Sequence, residues 1–434
     1  MNTAKELTLK NTSIASRQNF NNAKISKFVL GFKAIILLAI FTAKEVIFVH
    51  KFFVYTLFRP SISDVPPPIQ LKIGYWNKLQ FKFIILLRFF FKDQFWGQQW
   101  YKRVHNSILE RLKHQNIDRS QLKMPIPTVN LEEISPQEFW QKYVKTATPV
   151  IIKGGAKHTY AYQNWTPEMF GERFGEVEVL ILQNNEPVIG KLKEVIDSKG
   201  TDRKLYLSFC SNVFSSHSEL ADELGYLDFR EYMGGNFTQF IGSQLFLGVH
   251  RATGTGAHCA SGYNLFFQIA GKKKWTFVHP DYLWLMYPML DRDFNFCASF
   301  LKKDYEEQYL DRYAPLQQYC PKYEAVLEPG DILLNPPWLW HAIDNLTDET
   351  IAVATRWFPL GIKRSNTFFD LMQLLSPQVW QDRFYALSRN SDEPYVLERK
   401  TKILVKNQGD FVRLDNKAPM KTLEFDRWPQ DYQF

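Results

Sequence analysis

Cysteine is scarce in this chain. Four residues, Cys210, Cys259, Cys297 and Cys320, are scattered through 434 positions, with no C-x-x-C pair. That excludes a zinc ribbon and is too sparse for a disulfide scaffold. A reducing compartment, or independence from bridges, is expected, with the thiols filling ordinary core positions. No P-loop, dinucleotide fingerprint or internal repeat occurs, so the phosphate-cradling loops and solenoid folds are excluded. The most apolar stretch, Phe28 to Phe58, has Ala34–Ala43 as its longest uncharged run. A clear membrane span needs about 18 such residues. Acidic residues are missing from two places. Glu6 is the only one in residues 1–26, and none lies between Arg251 and Pro280.

Charge is divided unevenly. Residues 1–120 hold 19 Lys/Arg and 6 Asp/Glu, a balance of +13, and the remainder carries −5. A basic arm suits nucleic acid or an anionic membrane surface. The apolar runs within this arm favour the membrane, and no nucleic-acid partner is expected. Residues 1–60 are read as a basic N-terminal segment whose stretch 28–58 forms a helix. In that helix Lys33, Lys44 and Lys51 fall within about 20° of one another at 100° per residue. Such a basic stripe on an apolar helix fits an interfacial helix, a spanning helix facing a partner, or a soluble core helix. The polar start resembles an acid-poor mitochondrial targeting segment, although Arg17 is its only arginine.

Residues 61–120 form a Pro-rich linker followed by two helices, near Trp76–Lys92 and Gln98–Gln115. Lys78, Lys82, Arg88 and Lys92 occupy one sector of about 120° on the first. These helices fit either a membrane surface or an α-helical cap on the following domain. Removing residues 1–95 is expected to release the remainder as a soluble domain.

Two segments carry the chemistry. The first runs from Gly256 through His258, Ala260, Asn264, Gln268 and Gly271 to Lys273. The second runs from Glu328 through Gly330, Asp331 and Pro336 to Trp340 and His341. Alternation through Tyr263–Ile269 marks a strand, Gly271 breaks it, and Trp275–Val278 resumes it, so a hairpin is expected. Pro329-Gly330-Asp331 is a turn ahead of another strand. An H-x-D pair on such a strand points both side chains the same way. With a histidine from a neighbouring strand it makes a 2-His-1-carboxylate face for iron(II).

These residues resemble the JmjC-type branch of the cupin superfamily, which includes 2-oxoglutarate-dependent iron(II) oxygenases. Asn264, Gln268, Gly271, Lys273, Gly330, Asp331, Pro336, Trp340 and His341 fall in register with the family's N-x-x-x-Q-x-x-G-x-K and G-D-x-x-x-x-P-x-x-x-W-H patterns. The resemblance extends from about Met124 to Lys400, with Leu131–Phe139, Pro149–Gly154 and Asn164–Phe170 resembling the approach to the barrel. It implies an α+β, mainly β fold. That fold is a double-stranded β-helix (jelly roll) over residues 121–360, with flanking helices and a preceding basic amphipathic or transmembrane helical region. It also implies metal ligation by His258 and His341, and 2-oxoglutarate contacts from Lys273 and Asn264.

The chain departs from the pattern at the third ligand, where Ala260 replaces the aspartate. Cys259 adjoins His258 but points to the opposite face of a strand. Two imidazoles alone hold iron weakly, so no catalytic residue, and no iron or 2-oxoglutarate, is expected to operate. A related class of iron halogenases carries a small residue here so that chloride ligates the metal. The competing readings are plainer. His258 and His341 are held by packing, Lys273 lies in a solvated Lys272–Lys274 run, and Asn264 satisfies backbone. His279 is structural, and Trp338 and Trp340 are barrel wall.

Residues 361–400 are read as C-terminal helices, for which the resemblance implies a dimer-supporting role, and 401–434 as an extended tail that either lies on a partner or is disordered. The expected role is a non-catalytic, membrane-associated accessory subunit of a larger complex, with lipid and protein subunits as partners. A mitochondrial inner membrane is one fitting location. The alternative is a 2-oxoglutarate/iron(II) protein hydroxylase or halogenase.

Overall fold

A computed structural model describes residues 69–91, 98–183, 186–235, 238–251, 253–290, 296–299 and 315–359, together with Phe368, Phe369 and Met372. The expected helix at 28–58, the 401–434 tail and most of 361–400 lie outside these residues. No helix among the described residues is long and apolar enough to cross a membrane.

The described residues form sixteen strands, in chain order β1 Lys123–Pro125, β2 Thr128–Val129, β3 Val150–Ile152, β4 Glu178–Gln183, β5 Glu186–Lys191, β6 Leu205–Cys210, β7 Thr238–Gly248 and β8 Gly254–Ala260. Then come β9 Tyr263–Ala270, β10 Lys273–Val278, β11 Pro288–Leu290, β12 Phe296–Ser299, β13 Lys322–Leu327, β14 Ile332–Asn335, β15 Trp340–Asn345 and β16 Thr350–Pro359. One sheet has the order β1-β13-β10-β15-β8-β12-β11, the other β2-β3-β14-β9-β16-β7-β6-β4-β5. From β7 to β10 and from β13 to β16 the chain alternates between the sheets, so each tight turn carries it across the sandwich. The protein is therefore mainly β with flanking helices, as the resemblance implies.

Three apolar clusters follow from strand alternation. Between the sheets lie Phe246, Phe266, Trp275, Phe277, Leu333, Ile343 and Ala354 among others. The outer face of the larger sheet is covered by short helices. One is Pro167–Phe174, whose start is set by Pro167 and by Thr166, whose hydroxyl accepts the Met169 N–H. The outer face of the smaller sheet is covered by α1 (Tyr75–Phe91) and α2 (Gln98–Lys113). Phe81, Ile84 and Ile85 on α1, and Tyr101, Val104, Ile108 and Leu112 on α2, are buried with Tyr282 and Trp284. Those intervals are one helix face. The two helices are thus a cap on the sandwich, and the apolar face named here is spent on protein. His105 on α2 shares a 2.7 Å hydrogen bond with the Tyr287 hydroxyl, a polar contact inside this interface.

The turn motif is structural. Gly271 adopts φ +69° between β9 and β10, and a side chain there would collide with the Glu349 carbonyl. Gln268 donates Nε2–H to the carbonyls of Ala270 at 2.7 Å and Gly271 at 3.0 Å. Buried Asp331 accepts from Lys153 Nζ at 2.6 Å and from the N–H groups of Gly154 and Glu328 at 3.0 Å each. It ties the β13–β14 turn to the end of β3.

Candidate functional site

The site lies between the sheets, where β8 and β15 face β14, β9 and β16. His258 and His341 are direct register partners, with ring centroids 4.1 Å apart. His258 Nδ1 lies 2.8 Å from the Gly256 carbonyl, and His341 Nδ1 lies 2.8 Å from the Leu339 carbonyl. A carbonyl only accepts, so each Nδ1 carries the proton and each Nε2 keeps its lone pair. Burial pushes the His258 pKa down to about 4 and holds His341 well below the usual imidazole range. The Arg356 cation adds to both effects, and the carbonyl bonds oppose them. Both rings are therefore neutral at pH 7.

Trp275 stacks on His341 at 5.3 Å, and Phe209 meets His258 edge-on at 5.7 Å. Phe209 sits at φ +54°, a conformation costing on the order of 1–3 kcal/mol for a bulky residue. It falls at the register irregularity between Leu207 and Cys210, which turns its ring toward the histidine. Ala260 follows His258 by two residues and shares its face. Its carbonyl accepts the Trp338 N–H at 2.7 Å, so its backbone is fixed in place.

Lys273 corrects the expectation of a solvated run. Alternation splits the three lysines. Lys272 and Lys274 reach outward to Glu328 at 2.8 Å and Glu324 at 3.1 Å. Lys273 is fully buried. Its ammonium donates to Asn345 Oδ1 at 2.5 Å, Thr350 Oγ1 at 3.3 Å and the Tyr206 hydroxyl at 3.4 Å. Asn264 is buried, and its Oδ1 has no hydrogen-bond partner. It pairs in register with Asn335 on one side and Arg356 on the other. Cys259 faces the outer cluster, opposite Cys297, and Trp340 packs there against Phe369 at 6.3 Å.

Sequence reasoning overlooked Arg356, Asn335 and the Tyr206–Asn345–Thr350 shell. A signal was present for Arg356, the only charge in the apolar run Ile351–Phe358. The Lys273 shell comes from three separate strands, so spacing alone does not reveal it.

Iron(II) and 2-oxoglutarate, implied by the resemblance, can be tested against these residues. Lys273 has the charge and burial to meet a carboxylate. The iron position is a poor fit. It offers two neutral imidazoles, a methyl group at 260, and a neighbouring guanidinium that raises the cost of a second cation. Among the described residues no group of three or more His, Cys, Asp or Glu is placed to hold a metal ion.

Residues 136–361 match the family described as a cupin-like domain. The chain is 29% identical over 152 residues to HSPB1-associated protein 1 of Rattus norvegicus, covering 34% of this chain and 29% of that protein. It is 28% identical over 163 residues to HSPB1-associated protein 1 of Homo sapiens, covering 37% and 30%. The matched stretch thus spans less than a third of either relative's length. More than half of the chain falls within the family match, and the chain belongs to the cupin-like domain family.

Proposed function

We propose that this protein is a cupin-like module that has left iron(II) and 2-oxoglutarate turnover, and that it serves as a non-catalytic accessory subunit at a membrane. One observation carries the first half. The position that must supply a carboxylate beside His258 is Ala260, and the positive Arg356 is close enough to lower the pKa of both imidazoles. A metal ion with only two neutral donors and a cation for a neighbour is neither held firmly nor neutralised.

The test is direct. Purified protein should carry no stoichiometric iron and should release no succinate or carbon dioxide from 2-oxoglutarate, with or without chloride. About one iron per chain together with 2-oxoglutarate decarboxylation would overturn the reading in favour of the protein hydroxylase. Turnover only in chloride would favour the halogenase.

The membrane half is supported by the +13 balance of residues 1–120 and by the outer surface of α1. There Tyr75, Trp76 and Phe83 are exposed beside a cleft of about 340 Å³ whose rim carries Lys72, Lys78 and Lys82. Aromatic and basic side chains together suit an anionic interface. The full chain should sediment with vesicles containing phosphatidylserine and be released by salt. Equal recovery with neutral vesicles, or none with either, would remove the membrane from the proposal.

A further inference from the structure

We infer that Arg356, in one row with Asn264 and Asn335, forms a metal-independent binding site for a small monocarboxylate inside the sandwich. The inference rests on the reading that this pocket no longer runs iron chemistry.

Asn335 on β14, Asn264 on β9 and Arg356 on β16 form one row of register partners across three adjacent strands. The next row on the same face, Leu333, Phe266 and Ala354, belongs to the cluster between the sheets, so the polar row faces inward as well. It faces the imidazole pair, with Asn335 Nδ2 3.4 Å from both ring nitrogens of His341.

Among the described residues, Arg356 makes one hydrogen bond, from Nε to Gln244 Oε1 at 3.1 Å, and no ion pair. Its terminal amino groups are left to a ligand. A planar guanidinium fork matches a carboxylate in two parallel bonds. Asn264 and Asn335 each bury an Oδ1 without a partner. Buried polar atoms without partners call for an explanation. The Asn264 amide turned over presents N–H₂ instead, so that side chain can donate to a carboxylate seated beside it.

The charge arithmetic selects the ligand. One cation, Arg356, belongs to this row, and Lys273 is directed away to Asn345, Thr350 and Tyr206. A single negative charge balances the row, whereas a phosphate dianion would exceed it. The aromatic walls of Phe209, Phe246, Phe266 and Trp275 accept an aliphatic stem. Arg356 is half-buried, so part of its side chain reaches solvent while Asn264 and Asn335 stay buried.

The test titrates sodium propionate into the full chain in EDTA at constant ionic strength, followed by calorimetry and ligand-observed NMR. Saturable one-to-one binding that ignores the chelator is expected. Arg356→Gln should weaken it roughly tenfold or more, with Arg356→Lys intermediate because charge survives and the fork is lost. Asn264→Leu keeps the charge and should weaken binding severalfold, which serves if Arg356→Gln fails to fold. No saturable binding to folded wild type, equal binding by Arg356→Gln or, should that variant not fold, by Asn264→Leu, or chloride competing at the same concentration would overturn the site. A parallel iron(II) titration separates the two ideas. Tight iron binding refutes the preceding reading, whereas binding of neither iron nor propionate refutes this one alone.

Discussion

His258 and His341 each donate Nδ1–H to the carbonyl two residues back in the chain, and they stand opposite one another with centroids 4.1 Å apart. The matched geometry fixes one tautomer in both rings and presents two Nε2 lone pairs to the same space. It is the arrangement of a pair of metal ligands, kept beside a position that carries no third ligand. Restoring Ala260→Asp tests what is missing. The new carboxylate has a competitor, because Arg356 lies near enough to influence both rings. Ala260→Asp alone should bind cobalt(II) weakly. Ala260→Asp with Arg356→Gln should bind it roughly tenfold or more tighter, because the competing cation is gone. Cobalt absorption titrations read both. Equal affinity in the two variants would mean that Arg356 does not govern the site.

Asp331 should prove a stability residue. It is buried and accepts from one ammonium and two backbone N–H groups. Asp331→Asn keeps the volume and one acceptor oxygen but sets an N–H₂ group against at least one of the three donors. The expected loss is about 2–3 kcal/mol in denaturant unfolding, with the fold retained. A loss within about 0.5 kcal/mol would show that the turn holds without it.

The pH dependence of the α2 interface has a defined sign. Burial lowers the His105 pKa from 6.5 to about 4. As pH falls, the unfolded chain takes the proton first. The contribution is complete above pH 6.5 and is lost progressively toward pH 4, on the order of 3 kcal/mol in all. Thermal midpoints between pH 7.5 and 4.5 should fall more steeply for wild type than for His105→Gln. Parallel slopes would place the acid sensitivity elsewhere, with the two pocket histidines next in line.

What the sequence made legible was scaffold. Gly271, Gln268, Gly330 and Asp331 match the family pattern because backbone geometry at two turns demands those side chains, and such demands leave fixed spacings. The absent carboxylate at 260 was equally readable, since it is a single position on a strand already in register. Arg356 was not, because its meaning depends on lying beside Asn264 across a sheet that joins segments about ninety residues apart. Lys273 was left between two readings, a co-substrate lysine and a solvated run, for a local reason. Three consecutive lysines look uniform in sequence, but a strand sends the middle one to the opposite face. The helices α1 and α2 were ambiguous because an apolar stripe with basic flanks serves a protein face and a lipid face alike.

That ambiguity corrects where the chain can be cut. Removing residues 1–95 deletes α1 and strips Phe81, Ile84 and Ile85 from the outer cluster. Removing everything before residue 114 also strips Tyr101, Val104, Ile108 and Leu112. At about 1.5–3 kcal/mol for each fully buried large apolar side chain, the second loss rivals the whole stability of an ordinary domain. A chain beginning at residue 69 keeps both helices and should stay monodisperse and fold cooperatively. Chains beginning at 96 or 114 should aggregate or bind a hydrophobic dye, the latter more strongly, because Tyr282 and Trp284 become exposed. Size-exclusion chromatography and dye binding on the three chains decide the matter. A well-folded, dye-silent chain from residue 114 would show that α1 and α2 only rest on the sandwich. Their apolar faces would then again be open to a membrane.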